Sequence, residues 1–131
     1  MFTNASIEFK DLELAKETIE AAIAANEKYP FVDATKLYFD LGRILHQLRV
    51  EPARELRCYE MSIAAVAPTS SKYVASRRMK AKAHFFAAGP ANRMMNFRLR
   101  NHHMEECQKL VSDVDLNDPE AKNKFLDETQ D

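Results

Sequence analysis

LYFDLGRILHQLRVEPARELRCYEMSIAAVAP, residues 37–68, reads as two amphipathic helices joined by a very short turn. Leu37, Leu41, Ile44, Leu45 and Leu48 follow one another at steps of four, three, one and three, which puts branched apolar side chains on one helical stripe. The pattern stops after Arg49 and restarts at Glu51-Pro52, since a proline in the first helical position gives up only an amide that would have had no intrahelical acceptor. Leu56, Tyr59, Ile63 and Val66 then repeat the stripe as far as Pro68. Such a hairpin cannot bury both apolar faces by itself, so it is expected to stack on neighbouring helices in a repeat-like array.

The neighbours are legible on both sides. Upstream, Leu12, Ala15, Ile19, Ala22 and Ile23 mark a first helix that begins near Ile7 to Leu12 and runs to about Lys28, where Tyr29-Pro30 ends it. Asp33 is placed to cap the second helix. The third runs from Pro52 to about Ala67, and Thr69, Ser70 and Ser71 offer a turn and cap for a fourth. That fourth helix carries a small packing face of Ala75, Met79, Ala83 and Phe86, and Gly89-Pro90 is expected to terminate it at Ala88. A fifth helix is expected from about Ala91 to Val111, with Phe97, Met104 and Val111 on a face shared with Arg93 and Arg100. Asp118-Pro119-Glu120 signals a short last helix holding Phe125 and Leu126, with frayed final residues.

Leu41-Gly42 near the start of one helix, Tyr59 within the next and Pro68 after it resemble a tetratricopeptide repeat, with a Gly42-to-Pro68 spacing about two residues longer than that pattern. Within that group the chain is similar to the soluble NSF attachment proteins. Leu41-Gly42-Arg43-Ile44-Leu45, Glu55-Leu56-Arg57-Cys58-Tyr59-Glu60 and Lys80-Ala81-Lys82-Ala83 carry the likeness, over about Lys36 to Ala88. It implies a right-handed array of antiparallel helical hairpins that grips coiled-coil bundles through basic side chains, as an adaptor in vesicle-fusion assembly.

Composition agrees with an all-α chain. There are only two glycines and five prolines in 131 residues, with helix-favouring Ala, Leu, Glu, Lys and Met abundant and no convincing strand. The length suits one domain, able to bury roughly two thirds of its unfolded surface, and no linker or low-complexity segment divides it. Two isolated cysteines, Cys58 and Cys107, give no disulfide framework, which suits a reducing cytoplasm. The N-terminal residues lack the basic flank and apolar run of a signal peptide, and no window reaches the roughly 20 apolar residues of a membrane span.

Net charge is −1, but unevenly spread. Between Met61 and Met104 there is no acid, only Lys72, Arg77, Arg78, Lys80, Lys82, Arg93, Arg98 and Arg100, whereas residues 105–131 hold nine acids against three lysines. Arg77, Lys80 and His84 recur at steps of three and four, so they are expected to form a basic ridge opposite the alanine stripe. The same charges also read as a solvated helix face partly neutralised by the acidic end. As a binding surface the ridge would meet an acidic helical protein; the whole acid-free window is the alternative, a site for RNA or another polyanion. No aromatic platform interleaves the ridge, which argues against base-specific reading.

Chemistry is sparse. His103 and Cys107 stand four apart, but the four-ligand spacing of structural zinc is missing, so a packing cysteine and surface histidines are expected and no metal. Cys58 lies in a helix core position with no histidine nearby in sequence, and there is no glycine-rich phosphate loop. No catalytic residue, cofactor or resident metal is assigned. The expectation is a non-catalytic cytoplasmic interaction protein, its oligomeric state open.

Overall fold

The computed structural model describes residues 2–29, 34–65 and 74–115. They form five helices: α1 (Phe2–Lys28), α2 (Ala34–Gln47), α3 (Pro52–Ala65), α4 (Val74–Arg93) and α5 (Phe97–Asp115). Among the described residues there is no strand. Each helix packs on the next in sequence, and α2 also touches α4. The turns between α2 and α3 and between α4 and α5 are so short that each pair runs antiparallel. The expected cap at Asp33, the turn at Thr69 to Ser71, Val66 and the Asp118 helix lie outside the described residues.

The hairpin read from residues 37–68 is the centre of the molecule. Leu41, Leu45, Leu56 and Tyr59 are buried, and fully burying one leucine contributes about 1.5–3 kcal/mol. Phe39 and Phe86 pack on Tyr59, with ring centroids 6.0 and 6.3 Å from it, so α2, α3 and α4 meet through three aromatic rings. Gly42 is what lets α2 approach so closely. A Cβ there would lie 2.5 Å from Tyr59 Cε1, well inside van der Waals contact. Beyond this, the Ser62 hydroxyl donates to the Thr35 carbonyl at 2.7 Å, pinning the start of α2 to α3 in a buried setting.

Among the described residues helix α1 has one neighbouring helix, α2, and its apolar positions Leu12, Ala15, Ile19, Ala22 and Ile23 are half-buried rather than enclosed. Helix α4 has two full neighbours. Ala87 and Phe86 pack with Leu56 and Tyr59 of α3 while Ala81 packs with Cys107 and Val111 of α5, so the expected single stripe is in fact two.

Gly89-Pro90 does not end α4, contrary to expectation: the helix runs through both to Arg93. Interior proline costs about 3 kcal/mol because the carbonyl one turn earlier loses its donor. Here the extra turn buries Pro90 and Ala91 and carries Arg93 to an ion pair with Glu55, and these offset the cost. The true stop is a Schellman turn. Met95 takes the left-handed conformation (φ 59°), its amide donating to the Asn92 carbonyl and that of Asn96 to the Ala91 carbonyl. Asn96 Oδ1 then accepts from the Leu99 amide and caps α5, so α5 starts at Phe97 rather than near Ala91. The α2–α3 turn is built the same way around Arg49 (φ 58°), with Val50 donating to the Leu45 carbonyl.

An L-residue in the left-handed region costs about 1–2 kcal/mol that glycine avoids. Met95→Gly is therefore expected to raise stability by about 1 kcal/mol in urea unfolding followed by circular dichroism. A loss of stability would mean that the exposed Met95 side chain makes a contact the turn needs.

Candidate functional site

The concave feature with the most concentrated chemistry is a groove of ≈ 470 Å³ where the α2–α3 and α4–α5 hairpins meet. Phe85, Phe86 and Met104 supply apolar lining, and Arg43, His46, Arg93 and Arg100 supply the basic groups. Glu55 is the one carboxylate among its lining residues. A larger hollow of ≈ 680 Å³ beside the α1–α2 end is lined by Asp11, Leu12, His46, Gln47 and Arg49 and has no aromatic side chain among them.

The charged groove side chains are held by neighbours. Glu55, on the first turn of α3, is 1% exposed, and a carboxylate buried so deeply requires partners. Arg93 Nη2 donates to its Oε1 at 2.7 Å, and His46 Nδ1 stands 3.3 Å from the same oxygen. Two helical hairpins are thereby joined by charge at the groove. The Tyr59 hydroxyl is buried near Arg43 and Glu55 without a well-aligned hydrogen bond to either among the described residues. Burial, then the negative field of Glu55, pushes its pKa up. The Arg43 guanidinium lies over the Phe86 ring, 4.1 Å from the centroid. Arg100 donates to the amide oxygens of Asn92 (2.8 Å) and Asn101 (3.1 Å) and lies 4.9 Å from the Phe97 centroid. Among the described residues its partners are neutral.

The sequence-predicted residues separate into two groups. Arg93 and Arg100 come together in the groove, and Arg98 is exposed beside it in the chain. Arg77, Arg78, Lys80 and Lys82 are half-buried along α4, and Arg77 and Arg78 have interactions of their own. His84 does not stand on a basic ridge. It is 5% exposed and faces α5, because the side of α4 opposite one apolar stripe is covered by another helix instead of water.

His84 Nδ1 lies 2.9 Å from His103 Nδ1, and His103 is 4% exposed. The expected surface histidine at 103 is thus a core residue, followed on its face by the buried Cys107 and Val111, while Phe97 and Met104 are exposed. One imidazole donates and the other accepts, which requires the accepting ring to be neutral. Burial holds the His84 pKa down to about 4, helped by the positive fields of His103, Lys80 and His102 and opposed by Glu106. His103 is lowered in the same way, by burial first and then His102. Among the described residues no group of three His, Cys, Asp or Glu side chains could hold a metal ion. Burial raises the thiols of Cys58 and Cys107 to about 11 each, so neither is a ready nucleophile.

Sequence reasoning missed Glu55, His46 and Arg43 as groove residues. Their roles arise from partners distant in sequence, as with Arg93, which is 38 positions from Glu55. The Asn96 cap was detectable, since Asn directly before an apolar-periodic segment is a helix start signal. No protein-family model, curated protein or solved structure matches the chain.

Proposed function

We propose that this chain is a non-catalytic cytoplasmic interaction protein that receives an acidic segment of a protein partner in the groove between its α2–α3 and α4–α5 hairpins. The observation that carries the reading is the composition of that groove: an aromatic and methionine lining, three arginines and a histidine, and a carboxylate already committed to Arg93 and His46. Apolar side chains of the partner would bury against Phe85, Phe86 and Met104 and supply most of the affinity. Acidic ones would meet Arg100 and Arg43, steering the encounter and setting its register.

The scaffold is proposed to be a right-handed, tetratricopeptide-like stack. Sequential packing of the helices and the extra α2 to α4 contact support it, as a stack brings alternate helices together. An adaptor role in vesicle-fusion assembly rests on the likeness over Lys36 to Ala88 alone. The acid-free window supports a second reading, a helical module for RNA or another polyanion.

Affinity capture from cell extract with the protein as bait, with and without nuclease and across a salt series, tests the proposal. A photo-crosslinking residue in place of the exposed Met104 is expected to attach to an acidic stretch of a captured protein. Arg100→Glu is expected to weaken that capture by about a hundredfold, since reversing a charge in a close interfacial pair costs a few kcal/mol. Capture that survives Arg100→Glu, or that disappears with nuclease, overturns the groove assignment.

A further inference from the structure

The turn between α4 and α5 puts side chains where water is the worst solvent for them. Met95 is 74% exposed, Phe97 46% and Met94 44%, and all lie within four consecutive positions at the end of a helical hairpin. Arg93, Arg98 and Arg100 surround them in sequence, and no acid occurs anywhere from Met61 to Met104. The adjacent α2–α3 turn brings the exposed Arg49, Glu51 and Arg54, and Asp11 of α1 lies beside Arg49, so with Arg98 and Arg100 the described charges at this end remain positive in balance. Met95 also occupies the left-handed position that glycine fills without strain, so the fold holds an apolar side chain outward at a conformational cost.

We infer that this end of the molecule docks on an anionic phospholipid surface, with Met94, Met95 and Phe97 entering the interfacial layer and Arg98 and Arg100 meeting lipid phosphates. Unbranched, pliable methionines at the end of a hairpin suit a fluid apolar phase, which needs no preformed pocket to accept them. Arg100 lies against Phe97, so the ring and the guanidinium reach the interface as one unit, apolar edge inward and charge at headgroup level. Among the described residues no helix is long and apolar enough to cross a membrane, so attachment here is peripheral. The inference shares only Arg100 with the groove, and its test uses Arg98 and the methionines, which do not line it.

Flotation of the purified protein with phosphatidylcholine vesicles, with and without phosphatidylserine, is the direct test. Binding is expected only with phosphatidylserine and is expected to weaken with salt. Met94→Ser with Met95→Gly, and separately Arg98→Glu, are each expected to weaken it roughly tenfold, since each removes part of a two-component anchor. Met95→Gly relieves backbone strain, and melting curves on the same samples exclude unfolding as the cause. The chain contains no tryptophan, so Phe97→Trp adds a single reporter whose emission should shift to the blue on phosphatidylserine vesicles. Failure of the wild type to float, equal flotation of the methionine variant, an unshifted reporter, or binding to single-stranded RNA in place of vesicles would each overturn the inference.

Discussion

Gly42→Ala is expected to destabilise the protein by about 2–4 kcal/mol, lowering the melting temperature by on the order of 10 °C. In an ordinary helix interior the same change is favourable by roughly 1 kcal/mol, because alanine loses less backbone freedom on folding. The sign reverses here through one contact: the new Cβ would stand 2.5 Å from Cε1 and 2.8 Å from Cδ1 of Tyr59. The ring cannot swing away, since Tyr59 is fully buried and packed between Phe39 and Phe86. Separation of α2 from α3 is the remaining response, and it opens space around Leu41, Leu45 and Leu56. Gly89→Ala is the matched control. Apart from its chain neighbours a Cβ there meets nothing nearer than Arg93 Nη2 at 4.0 Å, and the helix-propensity gain is set against the crowding that Pro90 imposes on the residue before it, so stability should stay within about 1 kcal/mol of wild type. Tyr59→Leu should absorb much of the Gly42→Ala penalty in a double-mutant cycle, and strict additivity would show that the ring is not the obstacle.

Mild acid is the second large perturbation. His84 and His103 are neutral in the folded protein and titrate below the ordinary histidine value, His84 at about 4. In the unfolded chain they take up protons near pH 6.5. Between these values the unfolded state therefore binds more protons, and stability is full above pH 6.5 and falls as pH drops towards 4. For His84, lowered from 6.5 to about 4, the total loss is at most about 3.4 kcal/mol. The main cause is burial, which penalises the charged ring, and the neighbouring imidazole adds to it: if both rings were charged, two N–H groups would face each other across 2.9 Å. Urea unfolding at steps of pH checks this, and in proton NMR the His84 ring should keep its neutral chemical shift to well below pH 6. The double variant His84→Leu/His103→Leu should fold at pH 7 with a much flatter dependence between pH 6.5 and 4.5, because replacing both partners by apolar groups leaves nothing to protonate. An equally steep dependence in that variant would assign the acid sensitivity to carboxylates instead.

These residues show where sequence reading reached its limit. The α2–α3 hairpin was legible because its apolar spacing and Pro52 are local signals, and α3 does begin at Pro52. The end of α4 was misplaced because Gly-Pro is a local stop signal that tertiary burial of Pro90 and Ala91 overrides. The face of α5 was misjudged by one position, at Met104 instead of His103, since a histidine counts as polar until a second imidazole makes it a neutral core group. Of the candidate site, Arg93 and Arg100 were found as charges but not as neighbours of Arg43 and His46.

Periodicity, proline position and composition by themselves determined that this is an all-helical chain with an antiparallel hairpin at its centre and a basic middle segment. They suffice because helix formation and amphipathic patterning depend on residues within about one turn of each other. Only the tertiary structure decided which charges face a groove, which imidazoles lose their protons to burial, and which methionines stand in water. Those properties depend on desolvation and on partners brought together across tens of residues, and side-chain spacing along one helix carries no record of what packs against it.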